Sequence, residues 1–216
     1  MIRILIGILL FIFITYITIN YILNQNVEYV DLFDGDKIDN AQNTDNNTKQ
    51  FSYSFWLYMT KPPTHQSTIF SQIKDDDAKI VLSANNSTLT LTLDDSMSIY
   101  LDNFPFQKWN YINIVYFSGT IEFYLNSVLE KTLEIPVQNI YTESLINTEI
   151  TIGNYNNDEL GWQENNSYIA HFSYDPNSSY DQDKIRSLYK LQINSLVNDD
   201  SLSMKVSLLK NGIAIN

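Results

Sequence analysis

Trp109-Asn110-Tyr111-Ile112-Asn113-Ile114-Val115-Tyr116, Phe117-Ser118-Gly119-Thr120 and Ile121-Glu122-Phe123-Tyr124-Leu125-Asn126 follow one another without a break, and the fold is read from them. Two apolar runs flank a short Ser-Gly pair. Both runs are dense in β-branched and aromatic residues, and the pair between them suits a tight turn, so the stretch predicts a β-hairpin.

The same grammar repeats outward from the hairpin. Phe51, Tyr53, Phe55, Leu57 and Met59 fall on one face of a predicted strand over 51–59. Leu89, Leu91 and Leu93 alternate with Thr88, Thr90 and Thr92, the pattern of a half-buried strand. Further strands are predicted over 27–33, 68–73, 79–83, 97–101, 128–135, 149–153 and 168–174. Turn signals separate them, among them Asp34-Gly35-Asp36, Lys61-Pro62-Pro63-Thr64 and Asn85-Asn86-Ser87. Residues 38–50 are polar and Asn-rich and read as a loop.

About ten short strands at regular spacing, with no helical pattern between them, predict an all-β, two-layer antiparallel sandwich. A parallel sheet would need crossover helices, and none fits. One short helix is predicted near the C-terminal end. Ser179-Tyr180-Asp181-Gln182 has the form of a capping box with Ser179 as N-cap, and Ile185, Leu188 and Tyr189 then share one face. Beyond it, 203–209 is a candidate strand and Asn211-Gly212 a candidate turn.

The N-terminal stretch from Ile2 to Leu23 is almost wholly apolar, and from Ile4 it approaches the ~20 residues that a helix needs to cross a bilayer. A signal peptide has an apolar core of only ~7–15 residues and small residues at its cleavage site, and Asn20-Tyr21-Ile22-Leu23-Asn24 offers no such site. The stretch therefore predicts one uncleaved transmembrane helix. Arg3 lies on the short side, while Glu28, Asp31, Asp34 and Asp36 open the other, which places the large domain lumenal, extracellular or on a virion membrane. The resulting division is an anchor (1–24), a sandwich (25–192) and a tail (193–216).

The chain has 216 residues, of which 44% are hydrophobic and 13% aromatic, enough for one real core. A net charge of −12 argues against nucleic acid as a partner, since it is itself polyanionic. Cysteine is absent, which excludes a disulfide framework, a cysteine zinc site and a thiol nucleophile. The abundance of Asn, Ile and Tyr reads as the codon bias of an AT-rich genome, such as that of a large DNA virus.

Several segments, in order, resemble laminin G-like and concanavalin A-like lectin/glucanase domains. They are Phe33-Asp34-Gly35, Ser54-Phe55-Trp56-Leu57, Ile69-Phe70-Ser71, Ile80-Val81-Leu82 with Leu89-Thr90-Leu91, and the hairpin from Trp109 to Asn126. Thr151-Ile152-Gly153, Tyr168 to Tyr174, and Asp183 to Tyr189 complete the series. Many relatives carry Gly after the hairpin's Asn, where this chain has Ser127. The resemblance covers about residues 27–191 and implies a jelly-roll sandwich that serves mostly in recognition, although a shared fold alone does not assign a function.

Three kinds of site are weighed against the bland reading of the same residues. Calcium seeks several hard oxygen ligands on loops, and some relatives bind it at a loop edge; Asp75, Asp77 and Asp158 are the candidates here, against a reading as ordinary acidic turns. A glycan site needs an exposed aromatic with amides or carboxylates beside it. Trp162, Gln163, Glu164 and Asn156 have that composition, against a reading in which Trp162 covers one end of the sandwich. Trp56 and Trp109, inside strands, read as core. A glycoside hydrolase would place paired carboxylates at alternate positions of one strand, and no strand carries them: Glu122 has only Thr120 and Tyr124 on its face. His171 alternates with Ile169 and Ser173 and reads as a packed strand residue. Asn46, Asn85, Asn86, Asn165 and Asn177 begin glycosylation sequons in predicted loops. The expectation is a membrane-anchored, non-catalytic recognition module for a glycan or a protein surface. The alternatives are a structural envelope or virion protein whose sandwich packs on its neighbours, and a glycoside hydrolase.

Overall fold

The structure, a computed structural model, describes residues 13–15, 29–32, 36–41, 50–74, 77–93, 97–135, 148–153, 162, 167–197, 209–210 and 213–214. The chain forms two compact units. One is Glu28–Tyr189, and the other joins Met1–Val27 with Lys190–Asn216.

Within the larger unit lie two six-stranded sheets whose neighbouring strands all pair antiparallel. The first has the order β1 (Tyr29–Asp31), β12 (Ser167–Asp175), β3 (Gln50–Met59), β8 (Trp109–Phe117), β9 (Thr120–Leu125), β10 (Val128–Glu134). The second has β2 (Asp36–Ala41), β11 (Thr148–Ile152), β4 (Ser67–Lys74), β5 (Asp77–Asn85), β6 (Thr88–Leu93), β7 (Met97–Leu101). The sandwich expected from the hairpin is therefore present, with a C-terminal helix α1 (Gln182–Val197). The smaller unit contains a strand pair, β13 (Leu209–Lys210) with β14 (Ile213–Ala214), on either side of positions 211–212.

The core lies between the sheets. Phe51, Tyr53, Phe55, Leu57 and Met59 of β3 meet Ile112, Ile114 and Tyr116 of β8, Ile121 and Phe123 of β9, and Phe70, Leu82, Leu89 and Leu91 of the facing sheet. Each such side chain taken fully out of water contributes about 1.5–3 kcal/mol. A buried polar chain crosses this core. Tyr53 Oη donates to Gln72 Oε1, and Gln72 Nε2 donates to Thr148 Oγ1.

Both central hairpin turns place two residues at positive φ, the type I′ geometry that matches strand twist. They are Ser118 (47°) with Gly119 (89°), and Asn126 (51°) with Ser127 (65°). The Asn that closes the hairpin, Asn126, has a mechanical role. Asn126 Oδ1 accepts from Tyr111 N at 2.9 Å while Asn126 N donates to Tyr111 O at 2.8 Å, so one side chain extends the β8–β9 ladder past its last pair.

Three expectations are corrected. Residues 36–41, read within and beside a loop, form strand β2 against β11, because an edge strand is held by its backbone ladder and needs little apolar alternation. The helix N-cap is Asp181 and not Ser179: Asp181 Oδ1 accepts from Lys184 N at 2.7 Å, and Ser179 Oγ instead donates to Gln50 Oε1 at 3.2 Å. The simple alternation through His171 breaks at a β-bulge between Ala170 and Ser173, with His171 at φ 51°. The extra residue turns Phe172 and Tyr174 toward the core, where they contact Phe55 and Tyr53.

The apolar stretch 2–23 lies almost wholly outside the described residues, of which only 13–15 are described, as helix. Among the described residues no helix is long and apolar enough to cross a membrane.

Candidate functional site

The first sheet is covered on both sides at its centre, and its outer side determines where a site forms. Tyr111, Asn113 and Val115 of β8 point away from the core yet are buried. The chain after β12 covers them. Gln50 Nε2 donates to Asn177 O (2.8 Å), Ser52 Oγ donates to Ser178 O (2.8 Å), and Tyr180 N donates to Ser52 Oγ (2.9 Å). These three bonds strap residues 177–180 across β3. The helix that follows lays Tyr189 on Trp56 (centroids 5.4 Å apart, planes at 20°) and on Tyr111. Trp56 is thus buried, as expected, although on the outer side of its sheet.

Where the strap passes the β8–β9 hairpin, a cleft of about 290 Å³ opens between Val115, Phe117, Thr120 and Glu122 on one side and Ser179, Tyr180 and Asp181 on the other. The hairpin register sets Val115 opposite Glu122 and Phe117 opposite Thr120, so all four rise from one face. Phe117 is 58% exposed, a bare aromatic ring at the rim. Tyr124 Oη donates to Glu122 Oε2 at 2.7 Å and aims that carboxylate. Burial, then the bond to Glu122, then the charges of Glu122 and Asp181 push the Tyr124 hydroxyl well above the usual tyrosine range, so it stays a donor. Among the described residues the lining contains two carboxylates, three hydroxyls and two aromatic rings, and no Lys or Arg. Lys184, one turn into the helix, has its ammonium 3.6 Å from the Tyr180 ring centroid and 3.9 Å from Asp175.

Of the glycan residues nominated from sequence, Trp162 is described, and it does not line this cleft. Trp162 is 1% exposed, belongs to the core cluster, and donates from Nε1 to Thr68 O at 2.6 Å. A ring held inside cannot stack on a sugar, and the reading of Trp162 as a cover on the sandwich is the one that fits. Gln163, Glu164 and Asn156 lie outside the described residues, as do Asp75 and Asp158. Asp77 opens β5 opposite Lys74, and its side chain lies outside what is described. Among the described residues no group of three or more His, Asp or Glu could hold a metal ion. Sequence reasoning passed over Phe117, Ser179, Tyr180 and Asp181. One signal for them was present: β8 carries Tyr111, Val115 and Phe117 out of phase with its core residues, which means that its second face also meets something.

A sequence profile of the family described as concanavalin A-like lectin/glucanases matches residues 33–183. The chain belongs to the concanavalin A-like lectin/glucanases superfamily. No curated protein matches it. Among solved structures, this lectin/glucanase-type chain is similar to a tryptophan-to-alanine mutant of HCR/D (TM-score 0.62, 20% identity, 78% of this chain and 46% of that one). It is similar to the botulinum neurotoxin serotype D binding domain (TM-score 0.56, 18% identity, 79% and 48%). A third is botulinum neurotoxin type C (TM-score 0.55, 20% identity, 78% and 48%), whose cell entry depends upon interaction with two ganglioside molecules. The chain therefore spans about half the length of the structures it matches, and at these identities the likeness is one of fold.

Proposed function

We propose that this chain is a non-catalytic recognition module, held at a membrane by its N-terminal apolar stretch and binding a glycan or a protein surface with its sandwich. The carrying observation is the outer-face cleft. It combines an exposed ring, two carboxylates and three hydroxyls at the junction of a hairpin and a strap, and convergent polar groups beside aromatic walls are the usual makeup of a binding site. The superfamily assignment supports the reading, as does the likeness to neurotoxin binding domains, one of them solved in complex with rat synaptotagmin II. Calcium, held by Asp75, Asp77 and Asp158, is part of the same proposal.

The test is a screen of the full chain in detergent micelles against a glycan array and a panel of extracellular protein domains, each with calcium and with chelator. Saturable binding in either panel supports the reading, and silence in both overturns it. Alkaline carbonate extraction of cell membranes tests the anchor. The full chain is expected in the pellet, and a chain lacking residues 1–24 in the supernatant.

A further inference from the structure

We propose that the cleft beside the β8–β9 hairpin captures the guanidinium of an arginine side chain from a partner protein. This deepens the recognition reading and rests on it.

The argument is one of charge and shape. Glu122 and Asp181 enter the cleft from opposite walls, and neither has an ion-pair partner among the described residues. Asp181 spends Oδ1 on the backbone of Lys184, and Glu122 spends Oε2 on Tyr124, which leaves one oxygen of each carboxylate for a ligand. Two carboxylates lining one small space repel each other, and a cation between them relieves that repulsion. Lys184 does not fill the place, because it lies over the Tyr180 ring beside Asp175 and is not among the lining residues. Beside the carboxylates the lining offers the rings of Phe117 and Tyr180, the apolar Val115 and the hydroxyls of Thr120 and Ser179, with Phe117 open at the rim. A guanidinium is planar, stacks on aromatic faces and donates to carboxylates in a fork, so it meets both halves of this lining. An anionic sugar meets two like charges and no base. The net charge of −12 draws a basic partner toward this surface from a distance. The volume, at the small end for ligand pockets, suits one side chain and not an extended oligosaccharide.

The probe is Nα-acetyl-arginine N-methylamide, titrated into the full chain in micelles labelled with fluorinated phenylalanine. The Phe117 signal is assigned by its loss in Phe117→Leu. The uncharged citrulline analogue and methyl glucoside are titrated in parallel. The arginine probe is expected to move the Phe117 signal saturably, and the citrulline analogue is expected to leave it in place. Glu122→Gln and Asp181→Asn should each weaken the arginine response by about tenfold or more, the scale of one charge-assisted hydrogen bond. Both variants keep their oxygen acceptor, so the Tyr124 bond and the helix cap survive. Asp183→Asn removes the same charge from a residue 94% exposed and paired with Arg186, and should change nothing. An equal response to citrulline, an equal loss in Asp183→Asn, or no response to arginine overturns the proposal. A saturable response to methyl glucoside alone overturns it while leaving the recognition module standing as a sugar binder.

Discussion

Gly153 and Leu32 touch backbone to backbone: a Cβ built on Gly153 would lie 2.4 Å from the carbonyl oxygen of Leu32 and 2.8 Å from its Cα. Gly153 also sits at φ 64° and donates from N to Ile69 O at 2.9 Å. Only a residue without a side chain fits between these partners. Gly153→Ala is expected to cost about 2–4 kcal/mol, from strain at positive φ and the displaced Leu32 backbone. Urea unfolding would register this as a lower midpoint with an unchanged slope.

Trp162 holds the Thr68 carbonyl from inside the core. Trp162→Phe keeps most of the apolar contact and removes this buried hydrogen bond, a loss of about 1–3 kcal/mol. The arginine-probe response of Phe117 should be unaltered in this variant. A weakened response would mean that Trp162 takes part in binding after all.

Ser127 occupies φ 65° in the second hairpin turn, where a side chain is disfavoured. Ser127→Gly should therefore stabilise the protein by about 0.5–1 kcal/mol, visible as a higher melting temperature. No gain would show that the serine side chain compensates the strain.

Asp181 has two duties that mutation separates. Asp181→Ala removes the cap of α1 and should cost about 1 kcal/mol, whereas Asp181→Asn, also a good cap, should cost little in stability while removing the charge from the cleft. Equal destabilisation in the two variants would show that the charge, and not the cap, holds the helix start.

Alkaline pH should expose the buried tyrosines. Burial, with the neighbouring charge of Asp175, pushes the Tyr174 hydroxyl up to about 12. An unfolded tyrosine titrates near ~10, so between those values the unfolded chain binds fewer protons than the folded one, and stability falls as pH rises. The contribution is fully present below pH ~10 and amounts to about 3 kcal/mol lost by pH ~12. Tyr53 is shifted upward in the same sense. Unfolding midpoints measured across this window should fall steeply in the parent and less steeply in Tyr174→Phe.

The legible parts of the fold were those in which one face is wet. The Thr-Leu alternation of β6 marks its residues 88–93 outright, since each Leu is buried and each Thr half-buried. The β2 strand was illegible because Asp36–Ala41 carries a single large apolar residue and its order comes from β11. The bulge at His171 was illegible because it shows only in the register, which steps from Ala170 opposite Trp56 to Ser173 opposite Ser54 and so fits one extra residue into β12. Of the site, Glu122 was noticed and set aside, because its partner Asp181 is distant in sequence and reaches it only through the Gln50 and Ser52 latches. The choice between the two readings of Trp162 was not legible for a related reason. Its polar neighbours in sequence suggest water, and its actual surroundings come from β4.

The strap across β3 carries a lesson about timing. Gln50 and Ser52 are made early during synthesis, and the groups they grip arrive 126 or 127 residues later. A nascent chain ending before position 177 contains every strand of both sheets and only half of a binding surface. On the proposed reading, competence to bind is thus conferred by the last part of the domain to be made, and an incomplete copy would be shaped like its parent yet blind.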